Sequence, residues 1–284
     1  MRITEEQKAK IDSLSCERLS SNLDNKTAIQ LVSNKLNPNL VSYLQGPAWD
    51  EDARGENAFY LVKDQNGNIL YFFAIKTGLL IENLNLEKLN AASEFLDKFK
   101  KYSAPETSQE DKTVLEGELR DLIKRYGFDI AQILTLNKKK NRLRSELAKE
   151  PNQNVNRVLE THSAVELCIF CANDACREEA KPYSFGHKMG VIVFWRFVLS
   201  QLLKLQRIAG CEYAYLFAAD QTPDGFLVNY YKKQLHFAQD IQLGTSKPSY
   251  DYNCFFLCQT LEKLHSCRTK FFEEFNKMES EDMV

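Results

Sequence analysis

The block from residue 164 to 261 limits most strongly what this chain can fold into. AVELCIFCA (164 to 172) is a nearly continuous apolar run, the pattern of a strand covered on both faces. After a polar stretch comes MGVIVFWRFVLSQLLKLQRIAG (189 to 210), where Arg196, Ser200, Lys204 and Arg207 fall on one narrow stripe and nearly everything else is apolar. Such a helix must be buried on most of its circumference, and Gly210 stops it. EYAYLFAAD (212 to 220) is a second buried strand and QTPDG a turn. FLVNYYKKQLHF (226 to 237) opens as a short helix, and DYNCFFLCQTL (251 to 261) supplies a last strand. Strand, buried helix and strand in succession make a βαβ unit, so the strands near 164 and 212 should be parallel neighbours. The fold class expected is α/β.

Upstream, AFYLVK (58 to 63) and ILYFFAIKTG (69 to 78) flank DQNGN, and an Asn-Gly between two β-rich runs predicts a hairpin. Residues 3 to 45 are polar with apolar positions at helical spacing, which predicts two or three short helices, closed by Pro38, Gly46 and Pro47. LNLEKLNAASEFLDKFKKY and EDKTVLEGELRDLIKRYGFDIAQILTL carry heptad-like leucines on either side of residues 103 to 108 and predict two more helices. KKKNRLRSELAKEPNQNVN reads as a helix end and a linker. The expected organisation is one α/β domain from 1 to 82 and 157 to 270, a helical insertion from 83 to 156, and an acidic tail from 271 to 284.

A formal charge of -2 gives no whole-protein field to attract nucleic acid or an anionic membrane. A nucleic-acid partner would need a local patch, and Lys138, Lys139, Lys140, Arg142 and Arg144 form the one basic cluster to consider. The usual role of such a run is a solvated helix face. The charged start lacks an apolar stretch of signal-peptide length, and no run reads as long enough to span a membrane, so a cytoplasmic location is expected. Eight cysteines are too sparse for a disulfide scaffold. A regular strand points Cys168 and Cys171 to opposite faces, so no metal site is expected there. The leucine faces at 84 to 136 leave packing on the chain's own domain or on a second copy both open.

At the amino end of the long helix, the turn Gly186-His187-Lys188-Met189-Gly190 would aim backbone N–H groups at an anion such as a diphosphate. This turn, the helix behind it, the strand YAYLFAAD and the segment VNYYKKQLHF follow in the order and spacing of the GNAT superfamily of acyl-CoA N-acetyltransferases, which the chain resembles. The family's loop runs Arg or Gln, two residues, Gly, one residue, Gly or Ala, and a later segment runs Tyr-x-Lys-x-Gly-Phe. With Gly190 at the last glycine position, Lys188 stands at the earlier one and Phe185 replaces the Arg or Gln. His236 stands where glycine precedes Phe237.

The resemblance implies a mixed central sheet flanked by helices, an acetyl-CoA or other acyl-CoA cofactor, and direct transfer to a small-molecule or protein amine. Phe170, Cys171 and Ala172 at the end of the first strand, and Gly186, His187, Lys188, Met189, Gly190 and Val191 around the turn, would meet the cofactor. The Lys188 side chain would either obstruct phosphate or supply charge to it. Glu166, the only carboxylate in its apolar run, is the implied general base, and Tyr231, or Tyr230 beside it, the acid that protonates the departing thiolate. Each has a plainer reading, Glu166 as a salt-bridged strand residue and either tyrosine as an aromatic core contact. Asn173, Asp174 and Asp220 lie just past the ends of the two parallel strands, where α/β crevices form, and suit substrate neighbours or helix caps. Met189 and Trp195 read as core side chains. Lys188 and Phe185 also motivate an alternative: a catalytically inactive GNAT-like module that binds or regulates through its helical insertion.

Overall fold

A mixed sheet flanked by helices emerges from these patterns in the computed structural model, which describes residues 5–82, 86–147, 161–184, 187–220, 222–240, 243–245 and 254–276. The chain divides into two units, one made of residues 1–80, 162–240 and 245–284, the other of 81–161 and 241–244.

The first unit holds β1 (Ser15–Arg18), β2 (Ala58–Lys63), most of β3 (Ile69–Glu82), β4 (Thr161–Ala172), β5 (Tyr213–Ala218) and, after a short β6 (Leu243–Gly244) in the second unit, β7 (Phe255–Thr260). The sheet runs β1-β2-β3-β4-β5-β7, and β6 pairs with Ile81 and Glu82 at the end of β3. β2 and β3 form the expected hairpin. Its loop is closed by Asp64, whose Oδ1 accepts from the backbone of Asn66 and Asn68, while Gly67 takes φ 83. β4 and β5 are the expected parallel pair, and β7 runs antiparallel to β5 along its whole length.

One face of this sheet packs Phe73, Ile75, Val165, Leu167, Ala214 and Leu216 against the helix Met189–Ala209. The other packs Phe59, Leu61, Phe72 and Ala74 against the N-terminal helices through Ile29, Val41 and Leu44. Contrary to the expectation from the sequence, Met189–Ala209 is long and apolar enough to cross a membrane by length and composition. Its most apolar stretch is 61% buried inside the fold, which explains the apolar content as core packing. The helix widens to a π-helical turn over Phe194–Val198, where Trp195 and Phe194 are fully buried.

Three other features depart from the sequence reading. Residues 3 to 45 contain a strand, β1, as well as short helices. Its sequence, SCER, is polar because it is a partly exposed edge strand, and neither periodicity nor β-propensity marks it. In the second unit the expected pair of helices is three, Leu86–Ser103, Gln109–Tyr126 and Ile130–Leu147. Gly127, at φ 64, ends the middle one by the left-handed C-cap that glycine favours, donating its N–H to Ile123 O. Ser108 starts the same helix by accepting from Asp111 N–H. Phe95, Leu119, Phe128 and Ile133 form this unit's own core. The third departure is that Cys168 and Cys171 face the same side of the sheet. Among the described residues no group of three His, Cys, Asp or Glu side chains gathers to hold a metal ion.

Candidate active site

The pairing of β4 with β5 stops early. It covers Ala164↔Tyr213, Val165↔Ala214 and Glu166↔Tyr215, although β4 continues to Ala172 and β5 to Ala218. The side chains show why. Val165, Leu167 and Phe170 belong to the long-helix face, whereas Cys168, Ile169 and Cys171 belong to the opposite one. Strict alternation would keep 165, 167, 169 and 171 together, so the pattern slips by one residue at Cys168–Ile169, as in a β-bulge. A bulge bends its strand and ends the ladder. Beyond Glu166 and Tyr215 the two parallel strands part, opening a wedge at their carboxyl ends, where ligands of α/β sheets bind.

The amino end of Met189–Ala209 lies on one side of this sheet. Lys188 is its N-cap residue, extended at φ -66 and ψ 135, and its carbonyl accepts from Val191 N–H at 2.8 Å. Gly190 is buried beneath two phenols: a Cβ there would meet Tyr230 Oη at 2.7 Å and Tyr71 Oη at 3.2 Å. The Tyr71 phenol is pushed up to about 12, mainly by burial. Burial likewise raises Tyr230, so both phenols stay protonated at neutral pH.

Outside these tyrosines a cleft of about 340 Å³ is bounded by His187, Lys188, Phe226, Asn229, Tyr230 and Lys233. The Lys188 ammonium sits 3.9 Å from the centre of the Phe226 ring and 5.5 Å from that of Tyr230, a cation–π arrangement. Phe226 is 51% exposed, which leaves a flat apolar surface beside two lysines and no carboxylate among the described lining residues.

The two candidate tyrosines part company here. Tyr230 reaches the helix end and the cleft, while Tyr231 is packed into the core with its ring edge-on to Phe237 at 6.4 Å. His236 takes φ 57, the left-handed conformation that glycine would adopt at this place. Met189 and Val191 point into the core beside Trp195. Phe170 packs between Tyr71 (5.7 Å) and Phe194 (6.4 Å). Cys171 is buried on the opposite face, and Ala172 O accepts from Asn34 Nδ2. Gly186 and Phe185 lie outside the described residues.

Asn173, Asp174 and Asp220 do stand at the strand ends, but their polar atoms are engaged locally. Asn173 Oδ1 accepts from Ser33 and Ala175 N–H, and its Nδ2 donates to Ile69 O. Asp174 binds Lys35 N–H and Arg177, which hold its carboxyl below the usual range. Asp220 accepts from the Thr222 hydroxyl at 2.5 Å and from Val228 N–H at 2.8 Å, tying the turn after β5 to the start of the helix Phe226–Gln234.

Glu166 faces away from the long helix. Its Oε2 accepts from Tyr215 Oη at 3.2 Å and lies 3.6 Å from the Lys76 ammonium. The carboxylate side chain is 6% exposed, that of Lys76 44%. Tyr215 reaches Glu166 because Gly78 has no side chain, since a Cβ there would fall 2.2 Å from Tyr215 Oη. The neighbouring Cys168 thiol is pushed up to about 12 by burial and then by the charge of Glu166. Glu166 therefore sits at the last paired rung, where the wedge begins, and the cleft of Tyr230 and Lys188 opens on the other face.

Tyr71, Lys76, Tyr215, Phe226 and Lys233 are the site-forming residues that the sequence left unmarked. Tyr71 and Lys76 lie in the hairpin, far from the block that carried the signal, and no spacing rule joins them to it. In the second unit, Lys139 of the basic cluster is paired with Glu82 at 2.6 Å, and the side chains of Arg142 and Arg144 lie outside the described residues.

The chain matches no protein-family model and no curated protein sequence. Among solved structures it is similar to a mutant of the AtaT toxin, with 8% identity, a TM-score of 0.48, and an alignment covering 90% of this chain and 94% of that one. It is also similar to AtaTR bound with AcCoA (10% identity, TM-score 0.47, 90% and 98% covered). A third is AtaT complexed with acetyl-methionyl-tRNAfMet (9% identity, TM-score 0.44, 89% and 98% covered). At such scores and identities these likenesses decide neither the fold nor the activity.

Proposed function

We propose that the protein is an acyl-CoA-dependent N-acyltransferase acting on an amine. The observation that carries this reading is the wedge between parallel β4 and β5, opening beside a cation-lined cleft at the amino end of a long helix. A diphosphate needs positive charge and N–H donors, and an adenine ring needs a flat apolar surface. Lys188, Lys233 and Phe226 supply these, and acyl-CoA brings an acyl carbon activated as a thioester. At Gly190 a side chain is excluded by the Tyr230 and Tyr71 hydroxyls, and a phosphate reaching this part of the helix end has to turn both aside.

The chain's own groups then divide the work. Glu166 takes the proton from the attacking amine, and Tyr215 holds its carboxylate in place. Backbone N–H groups of β4 near Phe170 to Ala172 lie beyond the last rung paired with β5, and one directed to that side would donate to a carbonyl oxygen that gains charge. Tyr230, protonated at neutral pH, returns a proton to the departing thiolate; Tyr231, in the core, is the weaker candidate. Calorimetric titration of the full chain with acetyl-CoA tests the reading. One site per chain, weakened in Lys188→Glu and in Lys233→Glu, is expected, and heats equal to buffer would defeat it.

A second reading, a module with this architecture and no turnover, is favoured by one observation: the Tyr230 and Tyr71 hydroxyls already lie over Gly190 at the helix end. If it holds, the double variant Glu166→Gln with Tyr230→Phe folds and keeps the protein's biological effect.

A further inference from the structure

We infer that Lys76 is itself an acyl acceptor, so that the protein acylates its own β3 lysine. This rests on the acyl-CoA reading above and deepens it by naming an amine. An acceptor has to place a nitrogen beside the general base at the mouth of the wedge, and in the structure one already stands there. Lys76 Nζ is 3.6 Å from Glu166 Oε2, within ion-pair range and a few tenths of an ångström beyond a direct hydrogen bond. The base is buried, at 6% exposed, while the lysine is 44% exposed and retains room to move. Any external amine approaching Oε2 must first displace this ammonium.

The arrangement is built by more than one residue. Ile75 packs on the long-helix face, so Lys76 and Gly78 share the opposite one with Glu166 and Tyr215. The missing side chain of Gly78 lets the Tyr215 ring cross over β3 and bring its hydroxyl to the same Oε2 that faces Lys76. Phenol, carboxylate and ammonium thus converge at Glu166↔Tyr215, the rung after which the strands separate.

The step balances within this group and one acyl thioester. Lys76 gives a proton to Glu166, and its nitrogen lone pair forms the bond to the acyl carbon. The carbon–sulfur bond breaks with its electron pair going to sulfur, and the thiolate takes a proton from Tyr230. As the carbon–sulfur bond breaks, the nitrogen sheds its second proton, which passes through solvent to the Tyr230 phenolate, so the products are an amide on Lys76, a free thiol and a proton held by Glu166. Lys76 is left neutral, so Glu166 loses its cation and keeps Tyr215.

The test incubates the full chain with acetyl-CoA at several protein concentrations and maps acetylated lysines by peptide mass spectrometry, with calorimetric titration of the same preparation alongside. The expected result is one acetyl group on Lys76, at a rate independent of protein concentration. Modification at this position is lost in Lys76→Arg and about 100-fold slower in Glu166→Gln, the low end of what a positioned base contributes. Acetyl-CoA bound in the calorimeter, with Lys76 modified no faster than exposed Lys124, would overturn the inference and leave the acyl-CoA reading standing. Absence of binding would remove both.

Discussion

Replacing Gly190 by alanine probes the packing at the end of the long helix. The new methyl carbon would lie 2.7 Å from Tyr230 Oη and 3.2 Å from Tyr71 Oη, against a normal carbon–oxygen approach above 3 Å. The ring that has to yield is itself largely buried, and overpacking of this kind costs about 1–3 kcal/mol. Alanine's better helix propensity offsets about 0.5–1 kcal/mol of that. The net expectation is a loss of about 1–2 kcal/mol, read as a lower urea midpoint with an unchanged slope. A second substitution, Tyr230→Phe, removes the oxygen at 2.7 Å and leaves the next neighbour at 3.2 Å, so it should recover most of the loss. In a double-mutant cycle the two changes couple by more than about 0.5 kcal/mol. Gly190→Ala as stable as the parent, or a Tyr230→Phe background that recovers nothing, would refute the placement of the phenol over the helix end.

Three further outcomes follow from the same geometry. Gly78→Ala puts a Cβ 2.2 Å from Tyr215 Oη, so it should cost about 3 kcal/mol by combining overpacking with a lost hydrogen bond to a buried charge; a neutral effect in denaturant melts would contradict the triad. His236→Gly relieves a left-handed residue worth about 1–2 kcal/mol, offset by about 0.4–1 kcal/mol of chain entropy, so a gain near 0.5 kcal/mol is expected in thermal melts and a loss would count against the strain. Tyr71 holds its proton to about 12 when folded, above the ordinary phenol value that the unfolded chain shows. Its contribution is full below pH of about 10 and is lost as pH rises toward 12, so melting temperature should fall across that window and fall less in Tyr71→Phe.

The parts of the fold that were readable are those whose physics is local. A hairpin is written in two β-rich runs around Asn-Gly, and a buried helix in an apolar run with one polar stripe. The parallel pair follows from the chirality and length of the crossover. The slip at Cys168–Ile169 was not readable, because each of those residues is apolar and suits either face. It alone decides that β4 and β5 part, and that Cys168 and Cys171 share a side. β1 escaped because an exposed edge strand needs no apolar pattern, and the third helix of the second unit because Gly127 looked like a helix interior. At the site, Glu166 was legible as a lone carboxylate in an apolar strand, yet its partners Lys76 and Tyr215 reach it through sheet pairing, which sequence spacing does not encode. Which of Tyr230 and Tyr231 faces the cleft likewise depends on which face of one helical turn meets the core.

The most direct measurement is a crystal structure of the full chain grown with CoA. The account predicts the diphosphate within hydrogen-bonding reach of Lys188, with the thiol arm running between β4 and β5 toward Glu166. Ligand density elsewhere on the surface, with the strands closed over the wedge and the Tyr230 and Tyr71 hydroxyls still over Gly190, would contradict it.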